Sequence, residues 1–296
     1  MLGQRIVTAV VLLALLVPAM WAETAWPFAA LTMLLVAAAG WEWARLNGSG
    51  SAAALGSGGL LVVVCTATGP MALQGQVPAG WWVGASVLWM VGGVWALWQG
   101  VEAWHRRPHG LTWPLGMLAL WVAWMALVSA QARSLAFLLS VLCLVWGADV
   151  AAYFGGRAWG RRKLAPSISP GKSWEGVWSG VVGVLLLSWG WVALESAGAL
   201  QGVMQGGSLN SFSQAPAPWG ASLFAQLFGR YGVAWGVCLL ILLAGMSVVG
   251  DLFESLVKRA AGAKDSSRLL PGHGGVLDRI DALLPVFPLA LALVSS

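Results

Sequence analysis

RSLAFLLSVLCLVWGADVAAY, residues 133–153, carries no charge between Arg133 and Asp149. A helix needs about 20 mostly apolar residues to cross bilayer hydrocarbon, whereas a barrel strand reads as about ten residues of alternating polarity. Only helices and closed barrels satisfy every backbone N–H and C=O in lipid, and this stretch does not alternate. It predicts a transmembrane helix. Eight more stretches read likewise, at roughly 5–22, 26–45, 54–73, 80–99, 112–130, 174–194, 231–250 and 282–295, of which 54–73 is Gly-rich and the last is short. Composition agrees: 59% of the 296 residues are hydrophobic and 9% charged, while a soluble domain is about a quarter charged. The expected fold is all-α, a polytopic transmembrane bundle of about nine helices with its N-terminus in the cytoplasm. It divides into N-terminal helices over 1–130 and a C-terminal region over 131–296 that holds two cytoplasmic loops, 154–173 and 251–281.

The basic residues set this topology. With a cytoplasmic N-terminus, Arg5, Arg45, Arg106, Arg107, Arg157, Arg161, Arg162, Lys163, Lys172, Lys258, Arg259, Lys264, Arg268 and Arg279 fall inside, and only Arg133 and Arg230 fall outside. That bias follows the positive-inside rule and explains most of the net charge of +5 without nucleic acid as a partner. Anionic lipid headgroups add to the attraction. MLGQR and the apolar run Ile6–Val17 resemble a secretory signal, but PAMWAE offers no small-residue cleavage site, so an uncleaved helix is expected. Cys65, Cys143 and Cys238 lie in apolar segments at no metal-like spacing. Many of the 21 tryptophans, Trp21, Trp26, Trp81, Trp82, Trp98 and Trp104 among them, fall near helix ends as an interfacial belt. QGGSLNSFSQAPAPWG, 205–220, has no charge and reads as a mobile outside loop.

Charge is concentrated elsewhere. Two windows, Asp149–Glu175 and Asp251–Asp281, hold 17 of the 27 charged residues in 58 positions. Topology requires a few Lys or Arg but no carboxylates, yet Asp149, Glu175, Asp251, Glu254, Asp278 and Asp281 sit at or just inside the ends of apolar runs. An unpaired charge there costs up to about 3 kcal/mol toward mid-bilayer. Internal salt bridging is one way to offset that cost, although buried pairs alone seldom stabilise. A site for a metal and a polyphosphate is the other.

Spacing favours the second reading. If the helix ending at Gly250-Asp251 continues, Glu254, Ser255 and Lys258 lie along the face of Asp251. In GHGGVLDRID, 272–281, the glycines allow close approach of a ligand, N–H groups of a helix starting near Val276 point at the same place, and Asp278 and Asp281 share a face. Mg²⁺ takes one or two carboxylates plus phosphate oxygens and water, which Asp251, Asp278 and Asp281 can supply. His273 reads equally as a structural hydrogen-bonder or a phosphate contact. The first window contains GKS at 171–173, but Pro166 replaces the Gly of a phosphate-binding P-loop and a membrane helix replaces its strand, which rules that motif out. Ser169 and Lys172 remain as donors, with Glu175 at the head of the next helix. Arg161, Arg162 and Lys163 read as topology determinants.

SLVKRAAGAKDSSRLLPGHGGVLDRID, 255–281, resembles the defining motif of the phosphatidate cytidylyltransferases, also called CDP-diacylglycerol synthases. The fixed positions are Ser255, Lys258, Arg259, Lys264, Asp265, Ser267, Leu270, Pro271, His273, Gly274, Gly275, Asp278, Arg279 and Asp281. SPGKSWEG at 169–176 and GDLFES at 250–255 are also similar to that family, so the likeness covers the C-terminal half from about Trp146. The N-terminal half agrees in hydropathy and in WEWARL, 41–46, and 197–220 reads as an insertion. The resemblance implies that CTP and phosphatidic acid become CDP-diacylglycerol and pyrophosphate, with Mg²⁺, K⁺ as a second ion, and a homodimer. It implies Asp251, Asp278, Asp281 and Lys258 as catalytic residues, the three aspartates holding metal. By the same resemblance Ser169, Lys172, Glu175, Ser255, Arg259, Lys264, Asp265, His273, Gly274, Gly275 and Arg279 are expected to bind substrate. The expected location is the bacterial cytoplasmic (inner) membrane, with the site facing the cytoplasm. An ether-lipid phosphate is an alternative acceptor. A transporter for phosphorylated solutes would place polar residues near the midplane, whereas these charges gather at one face.

Overall fold

The structure, a computed structural model, describes residues 2–198 and 221–295. The segment 205–220 lies outside the described residues. The helices in chain order are α1 (Leu2–Trp21), α2 (Trp26–Leu46), α3 (Ser51–Leu73), α4 (Ala79–Val87), α5 (Val94–His105), α6 (His109–Arg133), α7 (Leu135–Trp159), α8 (Trp174–Ser196), α9 (Leu223–Ala260), α10 (Leu277–Ile280) and α11 (Leu283–Ser295). A wider π-type turn, Leu88–Gly93, joins α4 to α5 into one span.

Seven stretches among the described residues are long and apolar enough to cross a membrane: Trp26–Leu46, Ser51–Leu73, Ala79–His105, His109–Arg133, Leu135–Trp159, Trp174–Ser196 and Leu223–Ala260. The chain is an all-α integral membrane protein. These seven are the middle members of the nine expected. The outer two are helical but shorter: the apolar part of α1 is Val7–Trp21, and α11 has 13 residues. At 1.5 Å per residue α11 reaches about 20 Å against about 30 Å of hydrocarbon. Every residue from Leu284 to Ala292 is buried, against α4, α6, α7 and α9. Its uniform hydrophobicity therefore reflects burial in protein on every side.

Two boundaries differ from the sequence reading in ways that shape the site. Helix α7 continues to Trp159, so the first six residues of the expected loop 154–173 are helical. Much of the remainder forms an antiparallel hairpin, β1 (Lys163–Ala165) with β2 (Ser169–Ser173), in which Lys163 faces Ser173. Glu175 holds its base by accepting the Arg161 and Arg162 N–H groups, each at 3.1 Å, and Arg162 Nε at 3.2 Å. Helix α9 likewise runs through Asp251 to Ala260, so ten residues of the expected loop 251–281 are helical. Nearer its start, Gly232 (φ 74°) interrupts the helical backbone with a conformation that glycine adopts without steric cost.

Small residues let α7 and α8 approach closely, as membrane helices do. A Cβ at Gly155 would lie 1.9 Å from Ser179 Oγ, and one at Gly180 would lie 3.0 Å from the Ala148 carbonyl oxygen. An aromatic cluster ties α2, α5 and α9 together: Phe253 stacks on Trp43 at 6.2 Å and meets Trp104 edge-on at 5.1 Å. At the opposite end, Arg133 and Arg230 both donate to the Val294 carbonyl of α11, at 3.4 and 3.3 Å.

Candidate active site

The end of α7, the hairpin, the start of α8, the C-terminal part of α9 and α10 surround a cavity of about 680 Å³. Its polar end is lined by Asp149, Ser169, Lys172, Asp251, Lys258, Asp265, Asp278, Arg279 and Asp281, and its apolar wall by Val177, Val181, Ala244 and Val248. Two contacts fix the shape. Gly250 packs against the junction between α10 and α11, which sets Asp251 beside Asp281. Ile168 of the hairpin turn is buried, and its carbonyl accepts Arg259 Nε at 3.3 Å, which holds β2 against α9.

Both lysines of the cavity are paired with carboxylates. Lys172 Nζ lies 2.5 Å from Asp251 Oδ2. Lys258 Nζ pairs with Glu254 one turn away and with Asp278 Oδ1 at 2.5 Å. The other oxygen of Asp278 accepts Gly275 N–H at 2.7 Å, Ser266 N–H at 3.0 Å and shares the Ser266 hydroxyl at 2.9 Å. Burial opposes the charged form of Asp278. Hydrogen bonding with Glu254, Lys258 and Gly275 outweighs it and holds the carboxyl down to about 2. Asp281 shifts the other way: burial pushes it up and the Asp251 charge adds to that, against the Ala282 N–H and the charges of Lys172 and Lys258.

Of the residues singled out from sequence, Ser169, Lys172, Asp251, Lys258, Asp265, Asp278, Arg279 and Asp281 line this one cavity. The others sit around it. Glu175 is occupied by the hairpin base and borders a separate surface hollow. Ser255 reaches Asp251 at 3.5 Å, Arg259 braces Ile168 and the Ala263 carbonyl, and Lys264 is exposed. The His273 carbonyl accepts Arg279 Nη2 at 2.6 Å. Gly274 and Gly275 are required by space: a Cβ on Gly274 (φ 87°) would lie 2.7 Å from Asp278 Oδ2, and one on Gly275 would lie 2.0 Å from Ser266 Oγ. Sequence reasoning counted Asp149 among the carboxylates at the ends of apolar runs but assigned it no role; it lines the wall within electrostatic reach of Asp251 and Lys172. The same reasoning passed over Ser266 and Glu42. The signal for Glu42 was a carboxylate inside an apolar run, in the WEWARL stretch.

Asp251 and Asp281 offer hard carboxylate oxygens that repel each other, a pairing that a divalent cation relieves. Among the described residues no three His, Cys, Asp or Glu side chains come together as a cage, and Asp278 is engaged by Lys258 and the loop. The donors fit Mg²⁺, which binds one or two carboxylates and completes its shell with water and ligand oxygens. Asp251 and Asp281 would hold it, with Asp278 alongside.

The sequence profile of the cytidylyltransferase family matches residues 3–296. A protein of Pseudomonas aeruginosa named phosphatidate cytidylyltransferase is 38% identical over 304 aligned positions, covering 99% of this chain and 97% of the relative. One of the same name from Haemophilus influenzae is 41% identical over 156 positions, covering 53% of this chain and 44% of its own. The chloroplastic phosphatidate cytidylyltransferase 5 of Arabidopsis thaliana is 34% identical over 194 positions, covering 64% and 40%. With a profile match along nearly its whole length and a relative aligned end to end, the chain belongs to the cytidylyltransferase family.

Proposed function

We propose that this membrane enzyme transfers the cytidylyl group of CTP to phosphatidic acid, giving CDP-diacylglycerol and pyrophosphate. The observation that carries the reading is the cavity itself. Lysines, an arginine and aspartates at one end meet an apolar wall of α8 and α9 at the other, so one site can take a polyphosphate and the glycerol end of a lipid.

The chemistry needs no general base. A phosphomonoester has a second pKa near 6, so phosphatidate is largely an oxyanion at neutral pH. Its oxygen attacks the α-phosphorus of CTP, and the bond to the β-phosphate breaks with its electron pair leaving on pyrophosphate. The barrier is the approach of one anion to another, which positioned cations lower. Lys172, Lys258 and Arg279 supply fixed positive charge within the cavity. Lys258 is held in place from two sides by Glu254 and Asp278. Mg²⁺ held by Asp251 and Asp281 would supply Lewis-acid neutralisation of phosphate oxygens. The excess of basic residues on the cavity side supports an orientation toward the cytoplasm of a bacterial inner membrane, where CTP is available.

The test is pyrophosphate release by the purified full chain in detergent, with CTP alone, CTP with phosphatidic acid, and CTP with an ether-lipid phosphate, each with and without Mg²⁺. Release should require phosphatidic acid and the ion. Release from CTP alone, or only with the ether lipid, would overturn the assignment.

A further inference from the structure

Glu42 lies near the end of α2, a membrane-spanning helix, and is 0% exposed. An acid so placed is costly and is usually kept for a function. No lysine, arginine or histidine of the described residues pairs with it. Four donors replace a counter-ion, two on each oxygen. Oε1 accepts Ser267 Oγ at 2.5 Å and Val276 N–H at 2.9 Å, while Oε2 accepts Ser266 Oγ at 3.1 Å and Leu277 N–H at 2.7 Å. An ionised carboxylate has about four such acceptor positions, so its capacity is filled.

All four donors belong to the two ends of one segment, 266–277, which runs into α10, the helix that carries Asp278. The Ser266 hydroxyl also lies 2.9 Å from Asp278 Oδ2, and its single proton is shared between the two carboxylates. Gly275 is pressed into the same junction, where a Cβ would lie 2.5 Å from Glu42 Oε1.

We propose that Glu42 is a positioning residue for the transfer reaction. Its carboxylate clamps both ends of the 266–277 segment and so holds Asp278 against Lys258 at the cavity wall. The kinetic part of this proposal rests on the function proposed above, and the structural part does not.

The test compares full-length E42Q, S266A, S267A and the E42Q/S266A double variant with the parent, by amide hydrogen exchange and steady-state kinetics. Glutamine turns an NH₂ group toward donors that need an acceptor. Exchange in E42Q should quicken by about tenfold or more over 264–280 and stay unchanged in α7 and α8. Its kcat should fall about tenfold or more with KM for CTP within about threefold, and the double variant should be no worse. S267A, which removes one donor and leaves no unmatched N–H, should show the same local pattern at lower amplitude even if E42Q fails to insert. Parental exchange over 264–280 in S267A, loss of protection throughout E42Q, parental kcat in E42Q, or additive losses in the double variant would each overturn the clamp. If the parent makes no CDP-diacylglycerol, the functional reading falls and hydrogen exchange alone decides the clamp.

Discussion

Gly250 of α9 lies so close to the turn before α11 that a Cβ there would sit 2.5 Å from the Asp281 carbonyl oxygen and 3.0 Å from Pro285 Cδ. This approach places Asp251 beside Asp281. Gly250→Ala must push the two segments apart, because the obstacle is largely backbone. Overpacking of this kind costs about 1–3 kcal/mol. The thermal transition should fall and CDP-diacylglycerol formation should drop about tenfold or more, since about 1.4 kcal/mol is tenfold in rate. Parental values in both measurements would show that the approach is not needed.

Lys258 serves Glu254 and Asp278 together. Lys258→Met leaves two buried acids without their cation, and breaking such a pair typically costs about 3–5 kcal/mol. Adding Glu254→Gln to that variant should restore part of the loss. Denaturant unfolding in detergent reads both effects, and a fully stable Lys258→Met protein would show that the bridge is not holding α9 to α10.

Acid should act through Asp278. Its carboxyl is held down to about 2 in the folded protein, below the ordinary value of about 3.9. A lowered folded-state value contributes stability that is present above the ordinary value and is lost as pH falls toward about 2. The stability gap between the parent and Asp278→Asn should therefore narrow as pH drops from about 4 to about 2. A gap that stays constant over that window would contradict the hydrogen-bonding pattern around Asp278.

Lys172 and Glu175 lie close in sequence and differ in role. Lys172 enters the cavity and meets Asp251, whereas Glu175 holds the hairpin base. Lys172→Met should lower kcat/KM for CTP by about 100-fold, the scale of one lost electrostatic contact to a transition state. Glu175→Gln should lower it less. The reverse order in a kinetic comparison would put Glu175, not Lys172, on the substrate.

The spans were legible because about 20 apolar residues have few other uses. Their ends were less so, since polar residues such as Arg157 and Asp251 look like loop while still on the helix. The hairpin at 163–173 was hidden by Pro166, Pro170 and Gly171, which signal a turn without revealing a paired strand. Helix α11 was legible as an apolar helix but not as one enclosed by other helices, because a sequence does not distinguish burial in lipid from burial in protein. Most of the site was visible as clustered charge, and local spacing placed Asp251, Glu254 and Lys258 together. Glu42 was not, because its partners lie 224 to 235 residues away. Only the folded bundle brings α2 to that loop.

The most direct test of the site is cytidylyl transfer from CTP to phosphatidic acid by purified Asp281→Asn and Asp278→Asn proteins, each checked for membrane insertion and a cooperative thermal transition. The expected result is loss of transfer by at least about 100-fold in both, about 2.7 kcal/mol of transition-state stabilisation. Parental turnover in either folded variant would contradict the assignment of these aspartates, and of the cavity they line, to the reaction.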